Sequence, residues 1–291
     1  MSRSRAGLAL LLAAVIWGSA FAVQRIAAQN AGVFLFNGAR FLLGALVILP
    51  LVRLTRRPDR TGWLLTALAG LILFSASALQ QAGLKYTTAA NAGFITSLYV
   101  VFVPLILVGF LRQRLTPNAW GAALLAVLGG LLLSTGGDLR GLSFEGGVSV
   151  LGDLLELAGA AVWALHVLVV DRTVQRMDLL AFAAGQFLVA ALLNFGAGAV
   201  LEADRLPALM ASGWGVFYTG VFSVGVAYTL QAYGQKFSAP SSAAVILSME
   251  AVFAGLFGYL ILGESLNAAQ LLGCLLIILA VLLAQKRCSG V

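Results

Sequence analysis

Two tryptophans lie in the middle of long apolar runs, which is an unusual place for this residue. Trp17 stands in "AVIWGSAFAVQR" and Trp163 in "AAVWALHVLVVDR". Tryptophan favours the edges of a membrane span, because its N–H group reaches water and lipid headgroups there. At mid-span an indole either offers apolar area and an N–H donor to a bound molecule, or packs against helices with its N–H on a backbone carbonyl. The sequence leaves both roles open for each ring.

Polar side chains accompany these rings within the apolar runs. Helical spacing places Gln24 on the face of Trp17, and Glu156 and His166 on the face of Trp163. Polar groups cost free energy in hydrocarbon, so they usually face a cavity or a partner. We therefore predict that such faces border a water-accessible cavity. The predicted substrate-binding residues are Trp17, Ser77, Gln80, Gln81, Tyr99, Trp163, His166, Gln186, Tyr228, Gln231 and Glu250.

Three of the ionisable residues have two readings each. A carboxyl group at the depth of Glu250 suits proton coupling or an ammonium contact, and equally a hydrogen bond across helices. His166, the single histidine, suits a proton relay or a structural hydrogen bond. Arg40 is equivalent to Gln186 at an offset of 146 residues, and it would either extend outward as an interface anchor or contact substrate.

Motifs for enzyme chemistry are missing from the sequence. There is no H-E-x-x-H, no GxxxxGK[ST] loop and no Cys or His cluster with metal-ligand spacing. The glycine-rich "GGLLLSTGG" from Gly129 lacks the phosphate-binding lysine. We therefore predict no enzymatic activity, no cofactor, no metal site and no direct use of ATP.

The composition places these residues in a membrane. Apolar residues make up 61% of the chain and charged residues only 10%, and the mean hydropathy is +0.99. These values lie far outside the range of soluble domains. Ten apolar runs have about the length that a ~30 Å hydrocarbon core requires. They cover residues 7–28, 33–54, 62–84, 89–111, 117–135, 151–171, 178–200, 212–235, 240–262 and 267–285. Pro104, Gly255 and Gly258 are the expected bend points within them.

The distribution of basic residues predicts the orientation. With both termini in the cytoplasm, thirteen of the eighteen Lys and Arg residues fall on the inner side, as the positive-inside rule requires. They are Arg3, Arg5, Arg53, Arg56, Arg57, Arg60, Arg112, Arg114, Arg172, Arg176, Lys236, Lys286 and Arg287. The net charge of +7 thus reflects membrane topology, and we do not expect a nucleic-acid partner.

The chain contains an internal repeat. "LQQAGLKYTTAANAGFITSLYVVF" from Leu79 aligns without a gap onto "LQAYGQKFSAPSSAAVILSMEAVF" from Leu230, at an offset of 151. Trp17 likewise aligns with Trp163 at an offset of 146. We predict two five-helix repeats, residues 1–140 and 151–291, in one membrane domain. Because five is odd, the second repeat enters the membrane from the opposite side, an arrangement typical of secondary transporters with a site at the midplane.

These features resemble the drug/metabolite transporter superfamily, specifically its EamA-type members. The resemblance covers essentially the whole chain, although Gln113 stands where the second repeat has Glu264. It rests on "AAVIWGSAFAVQR", "NGARFLLGAL", "LKYTTAANAGFI", "GDLLELAGAAVWAL" and "ILGESLNAAQLLGCLLI". Among the branches, the chain looks most like bacterial exporters of aromatic amino acids.

This resemblance implies an all-α integral membrane protein with ten transmembrane helices in two inverted repeats, located in the bacterial inner membrane. It implies alternating-access export of aromatic and other neutral amino acids. The implied partners are a small-molecule substrate and the lipid bilayer, with protons as the candidate coupling ion. Two alternatives stay open: a broad-specificity drug or metabolite exporter, and a membrane scaffold without transport. A scaffold would not need paired polar faces at mid-depth.

Overall fold

Helices make up almost all of the described structure. The computed structural model describes residues 3–53, 59–110, 112, 116–135, 137, 150–264 and 267–285, and this part of the chain contains no β-strand. The α-helices are α1 (Arg3–Asn30), α2 (Val33–Ile48), α3 (Arg60–Gly83), α4 (Ala89–Ser97), α5 (Tyr99–Gly109), α6 (Pro117–Thr135), α7 (Val150–Thr173), α8 (Leu179–Leu201), α9 (Leu206–Ala211), α10 (Gly213–Tyr218), α11 (Thr229–Gln235), α12 (Pro240–Leu247), α13 (Glu250–Leu262) and α14 (Ala268–Gln285). Short 3₁₀ turns cover Leu49–Leu51 and Ala203–Arg205, and a π-helix covers Thr219–Tyr228.

The helices have the length and composition of membrane spans. Within the described residues, seven helices or continuous helix pairs are long and apolar enough to cross a bilayer, and a bent pair adds an eighth. Pro117–Leu132 and Ala268–Leu283 are shorter apolar helices. Large apolar side chains such as Leu192 and Val200 point outward, where a bilayer would cover them. The chain is an all-α membrane protein, and the count of ten spans stays a prediction that depends on the shorter helices.

Two of the predicted spans are interrupted at equivalent positions. The first break lies at Leu98, between α4 and α5, and the second at Ser248 and Met249, between α12 and α13. Ser97 and Ser248, equivalent at an offset of 151, donate through Oγ to the carbonyls of Phe94 and Val245, each at 2.7 Å. Serine hydroxyls bonded to the preceding turn bend helices, and they account for the paired breaks.

The two interruptions do not fall at the predicted bend points. Pro104 lies inside α5, and Gly255 and Gly258 lie inside α13. The carbonyl that Pro104 leaves without a helical partner belongs to Val100, in the first turn of α5. The proline adds no second interruption because this lost bond falls next to the existing break.

The eighth predicted span is also more irregular than its sequence suggests. Residues 213–235 form α10, the π-helix and α11 in succession, and the preceding segment Ala203–Ala211 meets them at 81°. The sequence analysis missed the short helix α9 altogether. π-Helical turns often mark functional sites, and this one carries two residues of the cavity described below.

The two halves pack extensively against each other. The largest contacts join α6 with α14, α2 with α8, α3 with α7, and α1 with α13. Gly18 in α1 permits one of these close approaches, because a Cβ atom there would collide with the backbone of Phe253 in α13. The centre of the molecule is therefore walled by helices of both halves.

Carboxylates also join the halves at helix ends. Glu202 accepts hydrogen bonds from the backbone N–H groups of Phe34 and Leu35, at the start of α2, each at 2.9 Å. Glu264 accepts from Ala89 N and Ala90 N at the start of α4, at 3.2 and 3.4 Å. A negative charge stabilises a helix N-terminus. Glu264 therefore has a capping role, while its aligned partner Gln113 lies outside the described residues.

Candidate functional site

A cavity lies between the two halves. The wall combines aromatic rings, amides, hydroxyls, one arginine and one glutamate. The lining residues are Trp17, Phe21, Gln24, Arg40, Gln80, Thr96, Tyr99, Trp163, Val167, Ser223, Tyr228, Gln231, Leu247 and Glu250.

Most of the wall consists of residues at equivalent positions of the two repeats. Ten of the fourteen lining residues form five pairs at the offsets of 146 and 151 found in the sequence. The pairs are Trp17 with Trp163, Phe21 with Val167, Gln80 with Gln231, Thr96 with Leu247, and Tyr99 with Glu250. Equivalent residues of two repeats can share one cavity only where the repeats meet around it.

Four lining residues have no equivalent in the wall: Gln24, Arg40, Ser223 and Tyr228. The counterpart of Arg40 is Gln186, whose Oε1 accepts a 2.9 Å hydrogen bond from His166 Nε2 away from the cavity. The counterpart of Tyr228 is Ser77, which is buried outside the wall. The two sides of the cavity are therefore related in shape but differ in charge and hydrogen-bonding groups.

Tyr228 is the centre of an aromatic cluster. Its ring centroid lies 4.8 Å from that of Trp17 and 6.0 Å from that of Trp163, so the two equivalent tryptophans both contact it. Phe41, His166 and Phe187 surround it at 6.4, 6.0 and 5.9 Å. Such offset and edge-to-face arrangements are favourable for aromatic rings. The cluster gives the cavity a rigid apolar side.

The two tryptophans differ in the use of their N–H groups. Trp17 Nε1 donates to the carbonyl of Ser223, in the π-helix, at 3.2 Å. Trp163 Nε1 is buried and has no hydrogen-bond partner among the described residues. Buried N–H groups normally have a partner. The structure thus supports a packing contact for Trp17 and leaves Trp163 with a donor available at the cavity.

Arg40 turns inward from α2. Only 1% of the residue is exposed, and its guanidinium lies 5.0 Å from the ring centroid of Phe41. Nε donates to Asn37 Oδ1 at 2.8 Å and Nη1 donates to Gln24 Oε1 at 2.6 Å. The reading of Arg40 as an outward interface anchor is therefore wrong.

A second layer of amides holds the partners of Arg40. Asn37 Nδ2 donates to the carbonyl of Ser77 at 3.0 Å, and Gln81 Nε2 donates to the carbonyl of Gln24 at 3.2 Å. Ser77 and Gln81, both predicted as binding residues, therefore lie behind the cavity wall. The Ser77 carbonyl fixes the side chain of Asn37, whereas Gln81 bonds the backbone of Gln24.

Glu250 and Tyr99 begin the two helices that follow the breaks, and both line the cavity. Tyr99 Oη and Glu250 Oε1 are buried and have no hydrogen-bond partner among the described residues. Helix breaks in membranes are tolerated where they line a cavity, and these two place polar groups at its wall.

A polar chain leads away from the cavity through Thr96. Gln80 Nε2 donates to Thr96 Oγ1 at 3.1 Å, and Thr96 Oγ1 donates to Glu156 Oε2 at 3.0 Å. Glu156 is fully buried and lies outside the cavity wall. It is thus a second buried acid, connected to the cavity through a hydroxyl group.

Seven of the eleven predicted binding residues lie in the cavity wall, and four do not. The seven are Trp17, Gln80, Tyr99, Trp163, Tyr228, Gln231 and Glu250. The four behind it are Ser77, Gln81, His166 and Gln186. His166 still contacts the cluster, with its ring 5.6 Å from that of Trp163. Substrate binding by any of these residues stays a prediction.

Seven residues of the wall were not among the predicted binding residues: Phe21, Gln24, Arg40, Thr96, Val167, Ser223 and Leu247. Helical spacing pointed to Gln24 on the face of Trp17, and repeat equivalence pointed to Arg40, the counterpart of Gln186. Ser223 gave no such signal, because it depends on the π-helix. Among the described residues no group of three His, Cys, Asp or Glu side chains could hold a metal ion.

Comparisons with known proteins agree with this architecture. The sequence profile described as "EamA-like transporter family" matches twice, over residues 4–135 and 150–285. A solved crystal structure that covers 99% of this chain and 100% of its own superposes with a TM-score of 0.78 at 22% identity, a likeness that shows the fold alone.

Several curated relatives match over nearly their whole length. An uncharacterized transporter of Archaeoglobus fulgidus is 33% identical and covers 99% of this chain and 88% of its own. The uncharacterized transporter YwfM of Bacillus subtilis is 28% identical and covers 94% of this chain and 91% of its own. The uncharacterized inner membrane transporter YedA of Escherichia coli is 25% identical and covers 94% of this chain and 89% of its own. With a profile match over both halves and a cavity between them, the chain belongs to the EamA-like transporter family.

Proposed function

We propose that this transporter exports aromatic and other neutral amino acids by alternating access. The central cavity is the substrate site, and the two repeats expose it alternately to each side of the membrane. The breaks at Leu98 and Met249 adjoin Tyr99 and Glu250, which line the cavity. A change of helix angle at either break would therefore move a side chain of the cavity wall. The substrate, the lipid bilayer and coupled protons are the proposed partners.

The pairing of the cavity wall is the observation that carries this proposal. Five pairs of equivalent residues face one cavity between the repeats, as expected for a site that both conformations share. Trp17, Tyr228 and Trp163 offer aromatic surface to a ring of the substrate. Gln80 and Gln231 add amide groups on both sides.

A broad exporter of drugs or metabolites is the second candidate. Aromatic walls also accept planar cations, and Glu250 in the wall would favour a positive charge. The buried guanidinium of Arg40 opposes it. A panel of substrates in reconstituted liposomes separates the two candidates.

The panel should contain tryptophan, phenylalanine, threonine and a planar cationic dye. We expect flux of the aromatic amino acids to exceed that of threonine and of the dye. Preferential flux of the dye would favour the second candidate. Liposomes without protein and liposomes with an unrelated membrane protein supply the baseline.

We also expect both termini to lie in the cytoplasm of a bacterial host, with the protein in the inner membrane. The basis is the excess of Lys and Arg on one side and the odd number of predicted helices in each repeat. Reporters active only in the cytoplasm or only in the periplasm, fused to the C-terminus, measure this directly. A C-terminal reporter active only in the periplasm would contradict the predicted orientation.

A further inference from the structure

We propose that Arg40 is the binding group for a substrate carboxylate, so that the cavity selects cargo that carries this anion. The inference rests on the proposed function, because it assigns one part of the same site. It adds a chemical requirement that the aromatic wall alone does not impose.

The first reason is the absence of a counter-charge. Two ion pairs occur among the described residues, Arg176 with Asp59 at 3.7 Å and Arg205 with Asp204 at 3.5 Å, and both are exposed. Arg40 is the fully buried arginine, and its partners within the protein are the neutral amides of Asn37 and Gln24. Burial of an unpaired charge is costly. An anionic ligand in the cavity would offset this cost by pairing with the guanidinium.

The second reason is the free donor capacity. Arg40 Nη2 is buried and has no hydrogen-bond partner among the described residues. A guanidinium presents its N–H groups in a planar fork that matches a carboxylate. Since Arg40 also forms part of the cavity wall, a carboxylate in the cavity would find a donor that is already oriented.

The third reason is that the protein builds a support for this geometry. Gln24 Nε2 donates to the carbonyl of Ala20 at 3.3 Å, and Asn37 Nδ2 donates to the carbonyl of Ser77 at 3.0 Å. Each amide therefore has its oxygen left for the guanidinium of Arg40. Gln24 and Asn37 are therefore positioning residues for Arg40.

Arg40, Tyr228 and Glu250 line the same cavity, and Tyr228 is the centre of the aromatic cluster. A substrate with its carboxylate at Arg40 would thus find aromatic surface and the carboxyl group of Glu250 within the same wall. This combination fits an amino acid better than a cation.

Binding to the purified protein in detergent tests the inference with three probes of one ring system. Tryptophan carries both charges, indole-3-propionate carries only the carboxylate, and tryptamine carries only the ammonium group. We expect the two carboxylate probes to bind about tenfold more tightly than tryptamine, or better, because hydrogen bonds to charged groups are strong. Equal or tighter binding of tryptamine would overturn the inference.

Variants then assign the preference to Arg40. Arg40→Gln should abolish the preference for the carboxylate probes over tryptamine. Arg40→Lys should keep this preference but bind the carboxylate probes more weakly, since the charge stays but the fork is lost. Arg205→Gln, which removes the same charge from an exposed site, should behave as the wild type. If Arg40→Gln does not fold, Arg40→Lys still decides: unchanged affinity for both carboxylate probes would overturn the assignment.

The outcomes also separate this inference from the proposed function. Arg40-dependent binding of indole-3-propionate without any binding of tryptophan would support the carboxylate site and contradict amino-acid export. Tryptophan binding that is as tight in Arg40→Gln as in the wild type would contradict the carboxylate site and leave amino-acid export supported. No binding of either carboxylate probe would contradict the inference.

Discussion

Replacing Trp163 by alanine should reduce tryptophan flux much more than threonine flux. The Trp163 ring faces Tyr228 in the cavity wall, and its N–H group has no partner among the described residues. Loss of an aromatic contact forfeits about 0.5–1.5 kcal/mol beyond area burial, or roughly 2- to 13-fold in affinity. Threonine cannot make this contact and should not feel its loss. Fluxes are measured in liposomes and normalised to folded protein.

Trp163→Phe and Trp17→Ala refine this prediction. Trp163→Phe keeps a ring and removes the N–H donor, so its tryptophan flux should lie between those of the wild type and Trp163→Ala. Trp17→Ala also breaks the bond to Ser223. Because Trp17 is partly buried and its hydrogen bond is lost, this variant should also lose thermal stability.

Trp214 offers a matched control for the tryptophan series. It is 71% exposed and lies outside the cavity wall, so Trp214→Ala should leave both fluxes unchanged. If Trp163→Ala lowers tryptophan and threonine flux equally, its ring holds the helices together and does not contact cargo.

Replacing Glu250 by glutamine should abolish proton-driven accumulation. For one proton exchanged per substrate, a gradient of one pH unit supports about tenfold accumulation, equivalent to ~1.4 kcal/mol. Glu250 lies in the cavity wall with Oε1 unpartnered, where it could exchange a proton as the site changes sides. Glu250→Gln should equilibrate substrate without concentrating it, as shown by the final ratio of substrate inside and outside the liposomes.

The groups around Glu250 define the controls. Tyr99, Tyr228 and Glu156 interact with it electrostatically, and Arg40 interacts with Tyr228. Glu156 is a buried acid behind the wall, and Glu156→Gln should retain accumulation. If Glu250→Gln accumulates substrate as the wild type does but binds it more weakly, Glu250 is an ammonium contact and not the coupling group. Unchanged accumulation and unchanged binding would leave it a structural role.

The membrane fold could be predicted because its determinants are encoded directly in the sequence. Span length and apolar composition follow from bilayer thickness, and the run from Leu79 to Phe102 repeats visibly from Leu230. The helix breaks could not be placed in this way. They depend on hydrogen bonds from Ser97 and Ser248 to local carbonyls, whereas the more prominent sequence signal, Pro104, lies inside α5.

The candidate site was predictable to the extent that depth and repeat equivalence determine it. Both criteria led to Trp17, Trp163, Tyr99 and Glu250, which share one cavity. Depth in the membrane does not determine whether a polar side chain reaches the cavity or the layer of residues behind its wall. Gln81 was therefore predicted as a binding residue although it lies behind the wall. The direction of Arg40 was also undetermined, because its long side chain can extend either way from the same backbone position.

Counterflow of tryptophan tests the central claim most directly. Liposomes containing the purified protein are loaded with unlabelled tryptophan and diluted into a trace of labelled tryptophan, with no ion gradient. The account predicts transient accumulation of label that unlabelled phenylalanine inside also supports and that Trp163→Ala weakens. Label uptake equal to that of protein-free liposomes, from protein shown to be folded, would contradict the claim that this cavity carries aromatic amino acids.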